Sequence, residues 1–114
     1  MKSERIYSNY LLDMLDACSK AANFIKGMSF EEFAGDEKTQ FAVIRALEII
    51  GEASKKIPQA FKDRTPEIPW RAIAGMRDKM IHDYIGINQA VVWKTVIEDL
   101  PPLIEKLNKM IREE

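Results

Sequence analysis

Apolar residues recur at steps of three and four along most of this chain, which is the period of a helix that buries one face. The pattern is clearest between residues 3 and 26. No run of alternating β-branched and polar residues occurs, and no segment repeats. The sequence therefore predicts an all-α fold. The apolar face of the first helix consists of Tyr7, Leu11, Met14, Cys18, Ala21 and Ile25.

Capping residues mark the ends of the predicted helices. Ser3 is a candidate N-cap of the first helix, and Gly27 is a candidate C-cap. Ser29 and Glu32 have the spacing of a capping box, which predicts a short helical turn that ends at Gly35.

A second long helix is predicted to begin after Asp36 and to end at Pro58. Residues 58–69 hold three prolines with charges between them and are predicted to form one extended connection. The last of these prolines suits the first turn of a third helix, from Trp70 to about Tyr84. The predicted core face of the second helix consists of Phe41, Ile44, Leu47, Ile50 or Gly51, Ser54 and Ile57.

A fourth helix is predicted to follow Gly86 and to be capped by Asn88. Pro101 and Pro102 lack backbone donors, so they must kink or restart it before a final helical stretch. Its apolar positions are Val91, Val92, Val96, Ile97 and Leu100. We expect a single domain over residues 1–114, with four main helices plus short turns, most simply arranged as a bundle.

Composition excludes several classes of protein. The chain has one cysteine, Cys18, which leaves no disulfide framework, and one histidine, which argues against a transition-metal site. No Gly-rich phosphate loop occurs, so no cofactor is predicted. No apolar stretch approaches the ~20 residues of a membrane span, and the first ten residues do not resemble a secretory signal. We therefore expect a cytoplasmic protein without membrane contact.

Positive charge is concentrated in one part of the chain. Residues 55–79 contain seven basic and three acidic residues, a net charge of +4, and the rest of the chain carries −5. Such a segment can attract a polyanion, although an ordinary charged helix surface also fits the pattern. The candidate contacts to an RNA backbone are Lys55, Lys56, Arg71 and Lys79.

The only histidine lies in a segment that combines three useful chemistries. Arg77 has a planar guanidinium that can bind phosphate through two hydrogen bonds, and Tyr84 has a phenol. His82 has an imidazole, the side chain whose ordinary pKa lies near neutral pH. Arg77 and Tyr84 share a helix face, but His82 is about 140° from Arg77 around the axis. Either the helix unwinds near Asp83, or a second copy of the chain completes the site.

Arg45 and Glu48 lie three residues apart in the second helix, where they can form a surface ion pair or line a cleft. Trp70 and Trp93 are predicted to be core or interface aromatics, and Cys18 a small core residue.

The motif residues and their context resemble a known family. Arg-x4-His-x-Tyr, with a polar Asp78 after the arginine, resembles the signature of the HEPN superfamily. Residues 45–53 (RALEIIGEA) and 68–77 (IPWRAIAGMR) resemble the HepT-like branch. So do residues 84–88 (YIGIN), 92–95 (VWKT) and 99–101 (DLP), in the same order, so that the resemblance covers nearly the whole chain.

This resemblance implies an all-α HEPN domain that forms a homodimer, with two signature motifs facing each other across a cleft. It implies a metal-independent RNA endonuclease, the toxin of a type II toxin–antitoxin pair. The implied catalytic residues are Arg77 and His82, while Asp78 either orients one of them or is a solvated acid. The implied partner is a minimal nucleotidyltransferase that silences the toxin by AMPylation of Tyr84. The alternative is a non-catalytic HEPN module that binds nucleotidyltransferase, nucleotide or RNA.

Overall fold

The computed structural model describes the backbone of residues 2–82 and 88–113, and the side chains of residues 7–76 and 88–112. All regular structure in these ranges is helical, which confirms the predicted all-α class. The helices are α1 (Lys2–Phe24), α2 (Phe30–Ala34), α3 (Glu37–Lys55), α4 (Gln59–Arg64), α5 (Trp70–His82), α6 (Gln89–Lys94) and α7 (Leu100–Glu113), with a π-helical turn at Thr95–Asp99.

The centre of the fold is α3, which packs against α1 on one side and α5 on the other. The helix α7 packs against α1, and the short helices α2 and α6 contact each other and α3. The predicted apolar face of α1 is confirmed from Leu11 to Ile25, and these side chains join one core cluster with residues of α3, α5 and α7. Cys18 is fully buried in this cluster.

The predicted core face of α3 is right for Ile44, Leu47 and Ile50 but wrong for Phe41, whose surface is 54% exposed. Because α3 has two long neighbours, its buried arc is wide and also includes Val43. Phe41 lies about 120° around the helix axis from Leu47, outside this arc.

Capping predictions are confirmed between α1 and α3. Gly27 has a φ of 80°, the left-handed conformation that suits a glycine after a helix. The Glu32 backbone N–H donates to Ser29 Oγ at 3.1 Å, and the Ser29 N–H donates to Glu32 Oε1 at 3.0 Å. The helix α2 then ends at Gly35. Ser3 is not an N-cap, because α1 already begins at Lys2.

The predicted extended connection over residues 58–69 is wrong, since it contains the helix α4. The Pro58 carbonyl accepts hydrogen bonds from the backbone N–H groups of Phe61 and Lys62 at 3.1 and 3.2 Å. Proline has a backbone conformation that is tolerated at a helix start, and burial of the Phe61 ring holds the turn against the core.

The predicted restart near Pro101 and Pro102 is confirmed and takes the form of a π-helical turn. The Leu100 N–H donates to the Thr95 carbonyl, five residues back, and α7 begins at Leu100. Both prolines thus fall in the first turn of α7, where missing donors cost little. Val92, Val96 and Leu100 are buried as predicted, whereas Ile97 is 48% exposed.

None of the helices in the described part of the chain is both long and apolar enough to cross a membrane.

The predicted N-cap of α3 generates a pH-dependent test. The Asp36 carboxylate accepts hydrogen bonds from the Thr39 backbone N–H at 3.1 Å and the Thr39 hydroxyl at 2.8 Å, and these bonds lower the pKa of Asp36. Because the pKa of Asp36 is lower in the folded than in the unfolded chain, the charged cap stabilises the fold fully at pH values above the unfolded-state pKa, near 4. This stabilisation is lost as the pH falls through the folded-state pKa of Asp36. We expect Asp36→Asn to lower the melting temperature at pH 7 and to lower it much less near pH 3.

Thermal unfolding followed by circular dichroism measures both differences. Asp13→Asn, which changes an exposed carboxylate of α1, is the matched control. An equal loss for Asp36→Asn at both pH values would contradict the charged-cap account.

Candidate active-site helix and nucleic-acid interface

The helix that carries the candidate catalytic residues has a firmly fixed start. Ile68 and Ile73 are buried, and Trp70 is only 9% exposed. The Trp70 indole Nε1–H donates to the Thr65 carbonyl at 3.2 Å and to Thr65 Oγ1 at 3.0 Å. The Trp70 backbone N–H donates to the Ile68 carbonyl at 2.8 Å. The turn before α5 therefore sets the position from which the helix runs on to the candidate site.

The structure places Arg77, Asp78, Lys79 and His82 together on the last part of α5. Their backbone is continuous with the anchored N-terminal part of the helix. Tyr84, the fifth residue of the motif, lies outside the described residues, as do Asp83 and Gly86. The prediction of a helix from Trp70 is confirmed as far as His82.

The helical backbone fixes the relation between the two candidate catalytic positions. Five residues of α-helix place Arg77 and His82 about 140° apart around the axis and about 7.5 Å apart along it. Since the helix is unbroken between these positions, unwinding after His82 would leave this angle unchanged. The described part of α5 therefore does not bring these two positions onto one face of the helix.

Candidate RNA-contacting residues lie at both ends of the connection between α3 and α5. Lys55 and Lys56 are exposed where α3 ends, and Arg71 is exposed in the first turn of α5. Cations at a helix C-terminus also stabilise its carbonyl groups, so the two lysines have a structural role beside any role in binding.

Between these ends, α4 holds two further cations against aromatic rings. Lys62 Nζ lies 5.7 Å from the centre of the Trp70 ring, and the Arg64 guanidinium lies 5.8 Å from that of Phe61. Cation–π contacts restrain long side chains at a modest energetic gain. The connection thus presents pre-positioned positive charge.

Lys106 is a cation of this region that the sequence analysis missed. Its Nζ donates to the Glu67 carbonyl at 3.0 Å, which brings α7 to the turn before α5. The two residues are 39 positions apart, and no local pattern in the sequence connects them.

An apolar cavity of about 550 Å³ borders α5 directly before Arg77. Ile73, Gly75 and Met76 contribute one wall, and the π-helical turn and the start of α7 contribute the other. Among the described residues of its lining, Asp99 alone is charged. The volume is in the range of small-ligand sites, but the wall offers few polar groups to orient a ligand.

The remaining sequence candidates have structural environments. Arg45 pairs with Glu48 at 3.4 Å and Glu52 at 3.7 Å, which confirms the predicted surface ion pair. Burial raises the pKa of the Cys18 thiol to about 12, so it is a core residue and not a nucleophile. Trp93 is partly buried, and its ring is tilted by 42° against that of Phe33, with ring centres 5.4 Å apart.

Within the described part of the chain, no three His, Cys, Asp or Glu side chains come together as metal ligands would. The arrangement on α5 is instead an arginine and a histidine on one helix, beside a cation-rich connection. It suits proton transfer and charge stabilisation at a phosphodiester.

Comparison with known proteins agrees with this chemistry. The profile of the family described as Ribonuclease HepT-like matches residues 14–110. A protein of Thermococcus cleftensis named as a probable ribonuclease HepT is 54% identical over 107 residues, which are 94% of this chain and 97% of that protein. The chain therefore belongs to the HepT-like ribonuclease family of the HEPN superfamily.

Two further relatives carry provisional RNase names. One, from Caldanaerobacter subterraneus subsp. tengcongensis, is 40% identical over 92% of this chain and 94% of its own length. Another, from Methanocaldococcus jannaschii, is 42% identical over 91% of this chain and 86% of its own length. No solved structure matches the chain significantly. Family membership supports a ribonuclease whose substrate is RNA.

Proposed function

We propose that this chain is a metal-independent RNA endonuclease that acts as the toxin of a type II toxin–antitoxin pair in the cytoplasm. The observation that carries the proposal is the placement of Arg77 and His82 on one unbroken helix in a chain of the HepT-like family. No cofactor is required, because RNA supplies its own nucleophile, the 2′-hydroxyl.

The reaction has two proton transfers, which His82 can assist. In the first, a base removes the proton of the 2′-hydroxyl while the 2′-oxygen forms a bond to phosphorus. The bond from phosphorus to the 5′-oxygen then breaks, and the 5′-oxygen takes up a proton. The products are a 2′,3′-cyclic phosphate and a 5′-hydroxyl. A neutral imidazole is suited to the first step and an imidazolium to the second.

Arg77 has the complementary role of charge stabilisation. Its guanidinium can donate two parallel hydrogen bonds to the phosphate oxygens on which negative charge increases in the transition state. Asp78, the next residue on α5, either orients one of these two groups or is exposed to solvent.

Two copies of the chain are part of the proposal. Since about 140° separate Arg77 and His82 on one helix, a cleft between two α5 helices can combine Arg77 of one copy with His82 of the other. Lys55, Lys56, Arg71 and Lys79 would then contact the RNA backbone on either side, and the restrained cations of α4 would extend this surface.

Control by a partner completes the proposal. A minimal nucleotidyltransferase would transfer AMP from ATP to Tyr84: the phenol oxygen bonds to the α-phosphorus, pyrophosphate leaves, and the phenol proton is released. Tyr84 is two residues from His82, so the added phosphodiester would bring bulk and negative charge near the catalytic imidazole and repel RNA.

Substitutions in α5 test the catalytic assignment. Purified, unmodified protein should cut RNA in the presence of a chelator. Arg77→Ala and His82→Ala should each lower the rate by ~10²–10⁴ while the helical circular dichroism stays unchanged. Lys38→Ala, an exposed change far along the chain in the first turn of α3, is the control and should cut normally.

Mixing the two inactive variants tests whether two copies share the site. Co-refolded Arg77→Ala and His82→Ala chains should recover up to about a quarter of the wild-type rate, because half the dimers then hold one intact pair. No recovery despite exchange of chains would locate the pair within one copy. RNA binding without cutting by the wild-type protein would support the non-catalytic alternative.

Substitution of Tyr84 tests the control step. Incubation with the cognate nucleotidyltransferase, ATP and Mg²⁺ should add one or more AMP units to the chain, seen by intact mass, and RNA cleavage should fall in step. Tyr84→Phe should gain no mass and remain active, whereas Tyr10→Phe should behave like wild type. Loss of activity without added mass would mean that the partner inhibits by binding alone.

A further inference from the structure

The apolar cavity of about 550 Å³ beside α5 has no role in the chemistry proposed for Arg77 and His82. It lies between two helices with different packing partners, since α5 packs against α3 and α7 packs against α1. Ala72, Gly75 and Pro102 line it and are exposed, so the cavity is open to solvent. A Cβ atom added at Gly75 would have no neighbour within 4 Å, which leaves room directly beside the helix backbone. A ligand can therefore enter the cavity from the surface.

The two walls of the cavity are tied together on the side of the cation-rich connection. The Lys106 Nζ donates to the Glu67 carbonyl at 3.0 Å, which brings α7 to the turn before α5. From this bond one wall extends along α5 as far as Met76, and the other extends back along α7 to Asp99. Arg77 is the residue of α5 that follows Met76. The cavity therefore leads from the cation-rich connection to the candidate catalytic residues.

The lining combines an apolar surface with one carboxylate. Ile73, Leu100 and Leu103 contribute apolar side chains from both walls. The Thr95 hydroxyl, which also belongs to the lining, already donates to the backbone carbonyl of Val91 at 2.8 Å. Small-ligand sites typically have this composition, in which a few polar groups on an apolar wall decide which ligand binds. In this cavity the deciding group is the exposed carboxylate of Asp99.

Such a wall discriminates between the parts of an RNA. The carboxylate repels phosphate, and an apolar wall offers no hydrogen-bond partners to the hydroxyl groups of ribose. A nucleobase has apolar faces that suit this wall, and N–H groups at its edge can donate to a carboxylate. Met76 is partly buried at the wall, and its polarisable sulfur favours contact with an aromatic ring. The base is therefore the part of RNA that fits the cavity.

The two oxygens of the carboxylate also discriminate between the four bases. On its Watson–Crick edge guanine presents two adjacent donors, N1–H and the N2 amino group, which match both oxygens. Adenine and cytosine present an amino group beside an acceptor nitrogen, and uracil presents one N–H between two carbonyl groups. Each of these three bases would bring an acceptor against a carboxylate oxygen. Guanine is thus the base that Asp99 selects.

We propose that the cavity is a base-specificity pocket, in which the Asp99 carboxylate accepts two hydrogen bonds from a guanine next to the phosphodiester that is cut. The base lies between the apolar side chains of α5 and α7, and the RNA backbone continues towards the end of α5. This inference rests on the proposed ribonuclease function and deepens it, because it names the base beside which the enzyme cuts.

Binding of mononucleotides tests the pocket apart from cleavage. Guanosine monophosphate should shift the amide NMR signals of Ile73, Gly75 and Leu100, and should bind about tenfold or more tightly than the other three mononucleotides. Inosine monophosphate keeps N1–H but lacks the N2 amino group, so it should bind about tenfold more weakly than guanosine monophosphate. Equal binding of all nucleotides would overturn the proposal. So would shifts confined to the cation-rich connection, which would show binding of phosphate alone.

Replacement of the carboxylate tests the role of Asp99. The amide of Asp99→Asn presents one acceptor and one donor, so the preference should move from guanosine to adenosine monophosphate. Glu98→Gln changes the neighbouring exposed carboxylate, which lies 4.0 Å from Lys94 and outside the described lining, and this control should keep the guanine preference. Helical circular dichroism of both variants establishes that they fold. An unchanged preference of folded Asp99→Asn would overturn the assignment.

Filling the cavity tests its location. In Gly75→Leu the new side chain takes up space in the cavity, and leucine is a better helix former than glycine. The variant should therefore stay folded and bind guanosine monophosphate about tenfold more weakly. Ala90→Leu, at an exposed position of α6 outside the described lining, is the control. Equal binding by both variants and the wild-type protein would mean that guanine binds elsewhere.

Cleavage of an RNA of mixed sequence separates this inference from the ribonuclease proposal. The wild-type protein should cut next to guanine, and inosine in place of guanosine should lower the rate at those positions about tenfold. Cutting without regard to the base would overturn the pocket and leave the ribonuclease proposal intact. Selective binding of guanosine monophosphate without any cleavage of RNA would support base recognition by the pocket and contradict the ribonuclease proposal.

Discussion

The burial of α3 between α1 and α5 is the constraint on which the rest of this structure depends. It requires a wide apolar arc on α3, which Ile44, Leu47 and Ile50 supply. One neighbour, α5, is held at its start by the Trp70 indole and by buried Ile68 and Ile73, so the helix leaves the core in a defined position. The candidate catalytic residues follow on the same helix. The stability of the core and the placement of the site thus have a common physical origin.

The sequence predicts correctly those features that depend on interactions between residues close together in the chain. The caps at Ser29, Asp36 and Asn88 are bonds between residues within three positions, and each lies where it was predicted. The predictions that are wrong or missing concern tertiary contacts, which local sequence patterns do not determine. The exposure of Phe41 follows from how two neighbours flank α3, and the contact of Lys106 with the turn before α5 spans 39 residues. The prolines of residues 58–69 predict an extended connection, but Pro58 precedes the helix α4 and its carbonyl accepts the first hydrogen bonds of that helix.

In the candidate site, too, the local features could be predicted from the sequence and the spatial arrangement could not. Arg77 and His82 could be found from their order and chemistry, and their helix is confirmed. Their separation around the axis follows from helix geometry alone, and it is the reason why the proposed site combines residues of two copies.

The most direct test of the central claim, that α5 carries a site using the 2′-hydroxyl of RNA as nucleophile, is a comparison of two substrates. The rate of cleavage is measured in a chelator with an RNA and with the same sequence as DNA, after binding of both has been established. The account predicts that the RNA is cut to products ending in a cyclic phosphate, while the bound DNA stays intact. Cleavage of the DNA at a similar rate would contradict it.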